Sequence, residues 1–562
     1  MPTKHVLFIA VAVPLLASAS CHDDPSDGGD PPVPPDIGCA DLVSADLDAS
    51  GVVVSSSEEV AASASDAISL PRHCLVRGSI DERTGTDGKP YAIGFELRLP
   101  AKGHNGSLFF QGGGGTDGVV NPAYGDLVNN PSSNALTRGY AVVSTDGGHG
   151  TGMADVSFGL DPQARIDYGY NAVGRTTSAA KALMLAFYGE APKRSYFVGC
   201  SNGGRQALVA ATRFPDQFDG ILAIDPGLHL PNAALAQAWD TRQLIGAGVP
   251  GQLPRDIFTP EVLASVAGGI LAHCDELDGL EDGIVADARA CAGAFDVERD
   301  VPTCAEPASA GCLPAPLKTA LAAVFGGAQG SQGAKLYAPF PWDPGISGGN
   351  WRFWKVDAGF APLPLNTIVG AGALGYVFTT PPDQPDLSDA GLGYQLSVDL
   401  DAAAMKIAAV DGDFTESAID FMTPPNETDL ARLDAHGGKL VVVHGIADPV
   451  FSATDSAAWY DALLAADANA ADYARLFLVP GMNHCAGGPA TDRFDLLPAL
   501  EAWVEGGAAP ESIEAHVNPE SPDVLALGWP SSRSRLLCPY PAHAVFAPGA
   551  ADPESAVSFS CE

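Results

Sequence analysis

The sequence predicts an α/β fold: one largely parallel sheet, covered by helices on both faces and interrupted by a large inserted lid domain. Three observations carry this. Short apolar runs alternate with helical stretches from about residue 39 to 224. The chain then turns rich in Pro, Gly, Ala and aromatics as far as about 431. The strand and helix alternation resumes at Lys439–His444 (KLVVVH).

Ile93–Leu99, Gly106–Gln111, Tyr140–Ser144 and Ser195–Val198 read as strands. Asn171–Tyr188, rich in Ala and Leu, reads as a helix between the last two. Helices separating short, fully apolar strands are the mark of parallel pairing. After the insertion come a strand at Lys439–His444, a helix at Asp455–Ala466, a strand at Ala474–Val479 and a helix at Asp492–Glu505. One sheet broken by a ~200-residue insertion explains 562 residues better than four equal domains. The expected divisions are a signal peptide over 1–20, a linker over 21–38, core over 39–227, a lid over 228–431 and core again over 432–562.

Hydrophobic residues make up 46% of the chain, enough for a sizeable core. Against 30 basic residues stand 68 acidic ones, a net charge of −38. That balance excludes a general nucleic-acid binder and argues against docking on anionic membranes. At the N-terminus Lys4 and His5 precede an apolar stretch, Val6–Leu16, and then the small residues Ala17–Ser20. This is the pattern of an export signal. Cleavage after Ala17-Ser18-Ala19 competes with lipidation of Cys21, although Ser18 stands where a lipobox usually carries Leu. The acidic, Pro- and Gly-rich residues 22–38 read as a tether. The expected location is the periplasm, the medium or a lipid-anchored place on a bacterial envelope, with that lipid the sole link to a membrane. Ten of the eleven cysteines remain once Cys21 is set aside, which predicts five disulfides in an oxidising compartment. Short separations favour Cys304–Cys312 and Cys274–Cys291. No CxxC occurs, so zinc is disfavoured.

Gly199-Cys200-Ser201-Asn202-Gly203 is a G-x-S-x-G between a strand and a helix, the setting of a nucleophile elbow. It makes Ser201 the candidate nucleophile and predicts an α/β-hydrolase fold. In that fold the acid and then the histidine follow in the chain. Asp448 follows the strand KLVVVHG, and His484 follows the strand RLFLV. Both stand on loops at the carboxyl ends of strands. Asp225 is the rival acid; His444 and His149 are the weaker candidate bases. The oxyanion needs amide donors: Asn202 by position, and Gly114 in Gln111-Gly112-Gly113-Gly114-Gly115. No Gly-Lys-Ser/Thr follows those glycines, which disfavours a phosphate loop. Within the insertion, Cys274–Ile284 (CDELDGLEDGI) crowds carboxylates around two glycines. Hard oxygen ligands at such spacing suit Ca²⁺, though the spacing is not that of an EF-hand.

With these residues in view the chain resembles the tannase and feruloyl esterase family. The resemblance covers nearly all of it beyond the N-terminus. QGGGGTDG, VVSTDGGHG, YFVGCSNGGRQAL, RFPDQFDGILA, CDELDGLEDGI, HGIADPV and GMNHCAGG carry it. Cysteines directly before the serine and directly after the histidine are specific to the family. The resemblance implies disulfides Cys200–Cys485, Cys39–Cys74, Cys274–Cys291, Cys304–Cys312 and Cys538–Cys561. It implies a structural Ca²⁺ held by Asp275, Asp278 and Asp282 side chains and by the Leu280 and Ile284 carbonyls, with no organic cofactor. It implies a secreted serine esterase acting on esters of aromatic acids through an acyl-enzyme. Trp351, Arg352, Trp354 and Phe378 are the expected pocket residues. A terephthalate monoester, held through its carboxylate by a lid arginine, is the alternative substrate. Arg352 is the sole arginine between 300 and 430, so neutral feruloyl or galloyl esters are preferred. The negative net charge agrees, since it repels anions. A serine hydrolase of other specificity on the same scaffold is the other reading.

Overall fold

Apolar side chains at alternate positions of the strands build two cores, one on each face of a nine-stranded sheet. In the computed structural model, residues 37–562 are described apart from 46, 48, 65–68, 249–250 and 306–310. The expected signal, linker and Cys21 lipid site lie outside the described residues, except Ile37 and Gly38. The strands are β1 (Val52–Val60), β2 (His73–Thr84), β3 (Pro90–Pro100), β4 (Ser107–Gln111) and β5 (Ala141–Thr145). Then come β6 (Arg194–Cys200), β7 (Gly220–Ile224), β8 (Lys439–Gly445) and β9 (Ala474–Val479). Their order in space is β1-β2-β3-β5-β4-β6-β7-β8-β9. Pairing is parallel from β5 to β9 and antiparallel among β1, β2, β3 and β5.

Leu108, Phe110, Val143, Phe197, Ile221, Val442 and Leu476 point to one core. Their neighbours Phe109, Val142, Tyr196, Leu222, Val443 and Phe477 point to the other. Strands buried on both faces read as continuous apolar runs, which is why the central strands are legible in the sequence. The antiparallel edge is not. The outer strand β1 (VVVSSSEEV) is half polar, and β2 ends in DERT, because water reaches them.

Helix α1 (Ala172–Tyr188) crosses from β5 to β6, and α2 (Asn202–Arg213) follows β6. Residues 225–438 lie between β7 and β8 and form mostly short helices with their own core, where Phe258, Val266, Leu321 and Phe325 meet. Val450 and Phe451, beside Asp448, belong to that same core. The helix expected over Asp492–Glu505 begins only at Leu497. Its first turn is taken by loop contacts: Arg493 N donates to His516 O, and Asp492 accepts from Gly487 N. Two small antiparallel hairpins at 513–537 and 544–561 close the chain. No helix among the described residues is long and apolar enough to cross a membrane.

Among the described residues the disulfides are Cys39–Cys74, Cys200–Cys485, Cys274–Cys291, Cys304–Cys312 and Cys538–Cys561, as expected. Such bonds persist in oxidising compartments, consistent with an exported chain.

Candidate active site

Ser201 sits between β6 and α2 with φ 64° and ψ −124°, a strained geometry for a residue with a Cβ. The turn is this tight because its glycines leave room for backbone. A Cβ on Gly199 would stand 2.6 Å from the Gly203 carbonyl carbon, and one on Gly203 would stand 2.6 Å from Gly113 O. Ser201 N donates to Ile224 O across the β6–β7 edge, 3.0 Å away.

Three strand ends bring the side chains together. His484 Nε2 lies 2.8 Å from Ser201 Oγ, and His484 Nδ1 lies 2.8 Å from Asp448 Oδ2. An ionised carboxylate accepts, so Nδ1 carries the proton and Nε2 presents its lone pair to the hydroxyl. Asp448 Oδ1 accepts from Val450 N at 2.6 Å and from Phe451 N at 3.1 Å. Burial alone would raise the Asp448 carboxyl; His484 and His444 beside it hold it well below the usual carboxylate range.

The rivals have other partners. Asp225 accepts from Gly445 N at 2.6 Å and from Cys485 N at 2.5 Å, and so braces the loops instead of orienting the imidazole. Burial, and then the charge of Asp448, push its carboxyl up to about 6. His444 is buried, with Nδ1 2.8 Å from Ser456 Oγ and Nε2 3.1 Å from Phe451 O. His149 is stacked on Phe158 and bonded to Thr116 O at 2.6 Å, and burial lowers it to about 4.

One donor differs from expectation. Gly114 N–H is not free; it donates to Asp117 Oδ1 at 2.9 Å. Gly113 N–H donates to Gln206 Oε1 at 2.9 Å. Among the described residues Gly115 N–H has no acceptor, and Cβ atoms on Gly114 or Gly115 would meet no atom within 4 Å. Asn202 N–H, in the first turn of α2, has no acceptor within its helix. The available amides are therefore those of Asn202 and Gly115. The shift of one residue comes from the turn that Asp117 imposes, which the run of glycines conceals.

Of the expected pocket residues, Trp354 reaches the site: its ring packs edge-on to His484 at a centroid distance of 5.2 Å. Phe451, which sequence reasoning missed, does the same at 5.5 Å. Its position three residues after Asp448 was the available signal. Trp351 and Phe378 are corrections. Trp351 is buried in the core of the insertion near Phe325, and Phe378 in a separate core with Phe158 and Phe421. Arg352 lies 3.5 Å from Asp357 Oδ2. Sequence reasoning also missed Asn350, whose Nδ2 donates to His484 O at 3.0 Å and to Ala486 O at 3.1 Å. The insertion thereby holds the histidine loop. A cleft of about 840 Å³ between the insertion and the sheet, lined by Phe295, Trp342, Ile446 and Tyr540, contains no triad atom.

The acidic turn offers hard oxygen donors, but its carboxylates are not among the described side-chain groups whose ligand atoms converge within 4.8 Å. Asp275 accepts from Gly283 N at 3.0 Å, Asp278 from Leu280 N at 3.2 Å and Asp282 from Ile284 N at 3.0 Å. No described donor takes the Leu280 or Ile284 carbonyl. Burial, and then the charges of Asp282 and Asp275, push the Asp278 carboxyl up to about 7, the repulsion a bound cation would relieve. Arg535 already pairs with Asp282 Oδ2.

A nucleophile, acid and base on the loops after β6, β8 and β9, with the acid buried and amides at a helix start, form an acyl-transfer site. Residues 74–562 match the family model described as tannase and feruloyl esterase. The chain belongs to the tannase and feruloyl esterase family. It is a carboxylic ester hydrolase. Its relatives include the mono(2-hydroxyethyl) terephthalate hydrolase of Piscinibacter sakaiensis, 40% identical over 91% of this chain and 88% of that protein. A probable feruloyl esterase B-1 of Aspergillus fumigatus is 28% identical over 80% of each chain. The crystal structure of feruloyl esterase B from Aspergillus oryzae shares the fold with a TM-score of 0.73, at 23% identity over 93% of this chain and 100% of that one.

Proposed function

We propose that this esterase hydrolyses esters of neutral aromatic acids, of the feruloyl or galloyl kind, through an acyl-enzyme on Ser201. The observation that carries the reading is the Ser201–His484–Asp448 chain of hydrogen bonds, flanked by the Trp354 and Phe451 rings. His484 Nε2 takes the hydroxyl proton as Ser201 attacks the ester carbonyl. The Asn202 and Gly115 amides receive the developing oxyanion. His484 returns the proton to the leaving alcohol, and the aroyl group stays on Ser201. Water, deprotonated by the same nitrogen, releases the acid. Asp448 keeps the ring oriented and offsets its charge while it is protonated. The helical insertion acts as the lid that supplies an aromatic wall.

Arg352 does not decide between the acids: one Nη lies 3.5 Å from Asp357 Oδ2, while its buried Nη1 has no partner among the described residues. The 40% identity to a terephthalate monoester hydrolase favours the second reading, a substrate with a free carboxylate. Ca²⁺ is proposed at Asp275, Asp278, Asp282, Leu280 O and Ile284 O. There it would brace the insertion against the C-terminal hairpins, where Arg533 donates to Asp282 O at 2.9 Å. The proposed location is outside the cytoplasm, with the lipid on Cys21 as an alternative form of the same exported chain.

The test is a panel: methyl ferulate, methyl gallate, a terephthalate monoester and p-nitrophenyl butyrate, with Ser201→Ala as control. Turnover of the aryl esters, lost by several orders of magnitude in the variant, is expected. Faster turnover of the terephthalate monoester would replace the neutral-acid reading. Turnover of the butyrate alone would remove the aryl reading.

A further inference from the structure

Asp117 is fully buried beside the candidate nucleophile and has no part in the triad. Its Oδ1 accepts from Gly114 N at 2.9 Å; its Oδ2 accepts from Asn202 Nδ2 at 3.1 Å and from Gln206 Nε2 at 2.8 Å. One carboxylate thus joins the glycine loop after β4 to the first turns of α2. These are the two segments that carry the Gly115 and Asn202 amides, for which no acceptor stands among the described residues.

The surroundings are built to admit it. A Cβ on Gly113 would stand 1.9 Å from Asp117 Oδ1, and one on Gly147 would stand 2.8 Å from Oδ2. Asp117 itself has φ 55°, a backbone region a non-glycine residue occupies at a cost. No cation among the described residues pairs with the carboxylate; Arg205 acts on it from a distance and instead bonds Asn202 Oδ1 at 2.8 Å. A buried charge and a strained backbone are two costs at one residue, offset by three donors.

The rest of the loop is pinned in the same way. Gln206 Oε1 takes Gly113 N–H, the Tyr168 hydroxyl donates to Gly115 O at 3.0 Å, and His149 bonds Thr116 O. Gly115 N–H is left without an acceptor among the described residues. An amide can serve a developing oxyanion only if it need not move when charge appears.

We propose that Asp117 is the positioning residue of the oxyanion hole, its carboxylate setting the Gly115 and Asn202 amides in mutual register. The inference rests on the serine-esterase reading above.

The test is Asp117→Asn in the full chain. An amide NH2 there meets donors where the carboxylate offered only acceptors. Expected are a kcat lower by about 100-fold, a KM within about threefold and a folded protein by melting. Inactivation by a p-nitrophenyl phosphonate, whose tetrahedral adduct places an oxygen in the hole, should fall in step with kcat. Unchanged kcat and phosphonate rate would overturn the proposal, as would losses matching only the unfolded fraction. If Asp117→Asn does not fold, Asn202→Ala decides. It keeps the amide but cuts the Nδ2 bond, so kcat should fall about tenfold at constant KM, and no fall overturns the proposal. Labelling of wild-type Ser201 by a fluorophosphonate separates the two readings. No label defeats the serine-esterase reading and this one together; label with a normal Asp117→Asn enzyme defeats this one alone.

Discussion

The Cα atoms of Cys200 and Cys485 lie 6.0 Å apart, joined by a disulfide that ties the residue before Ser201 to the residue after His484. The bond spans 285 residues of chain yet sets the spacing of two neighbouring side chains. Asp225 adds a second brace, since it accepts from both Gly445 N and Cys485 N. Replacing both cysteines by Ala should therefore lower kcat by about tenfold, not by the full triad effect. Stability should fall by about 3 kcal/mol, the order expected for a loop-closing disulfide. Denaturant melts and steady-state kinetics check this; an unchanged kcat would show that Asp225 suffices.

Trp354→Ala removes a ring packed edge-on to His484. A lost aromatic contact of about 1.4 kcal/mol is roughly tenfold in kcat/KM. The loss should be larger for methyl ferulate than for p-nitrophenyl butyrate. Equal losses on both would mean that the ring supports the histidine and not the substrate.

Calcium removal should act on stability. Asp275, Asp278 and Asp282 crowd one turn of the insertion and, among the described residues, make no hydrogen bond or ion pair with Ser201, Asp448 or His484. EDTA should lower the melting temperature, and added Ca²⁺ should restore it. Asp278→Asn should weaken that dependence while the folded enzyme keeps its kcat. Identical melting in EDTA and Ca²⁺ would remove the ion from the account.

His229 stands between two carboxylates, with Nδ1 2.9 Å from Asp455 Oδ1 and Nε2 2.9 Å from Glu427 Oε2. It precedes the first long helix of the insertion, Glu427 precedes the return to the sheet, and Asp455 lies on the helix Ala453–Ala466. The clamp therefore joins both ends of the insertion to the sheet domain. Burial would lower the imidazolium, but the bonds to Asp455 and Glu427 outweigh it and raise it to about 10. A folded-state value above the unfolded ~6.5 means stability fully present below pH ~6.5 and lost as pH rises through about 10. His229→Gln should cost about 2 kcal/mol at pH 6 and flatten the alkaline limb of the stability curve. An unchanged alkaline limb would show that the charge is not what holds the ends.

The central strands and the triad were legible in the sequence for one reason. Strands buried on both faces are apolar throughout, and their carboxyl ends must carry the loops where Ser201, Asp448 and His484 stand. The antiparallel edge escaped because β1 and β2 are half wet and carry Glu58, Glu59 and Asp81. Trp351 was misjudged because an aromatic cluster looks the same whether it lines a pocket or fills a core. Trp351 and Trp354 lie on one short helix, yet the first faces Phe325 and the second His484.

By itself the sequence determined the central strands, the nucleophile and its candidate partners, and a family resemblance that implies the disulfides, because these follow from local spacing and from motifs carried whole. Only the tertiary structure decided which acid orients His484, which glycine amide is free and which lid aromatic reaches the site. Each of those depends on one hydrogen bond or ring contact that the fold selects: Asp448 to His484, Gly114 to Asp117, Trp354 to His484. A chain records what each residue can do; folding selects the partner it does it with.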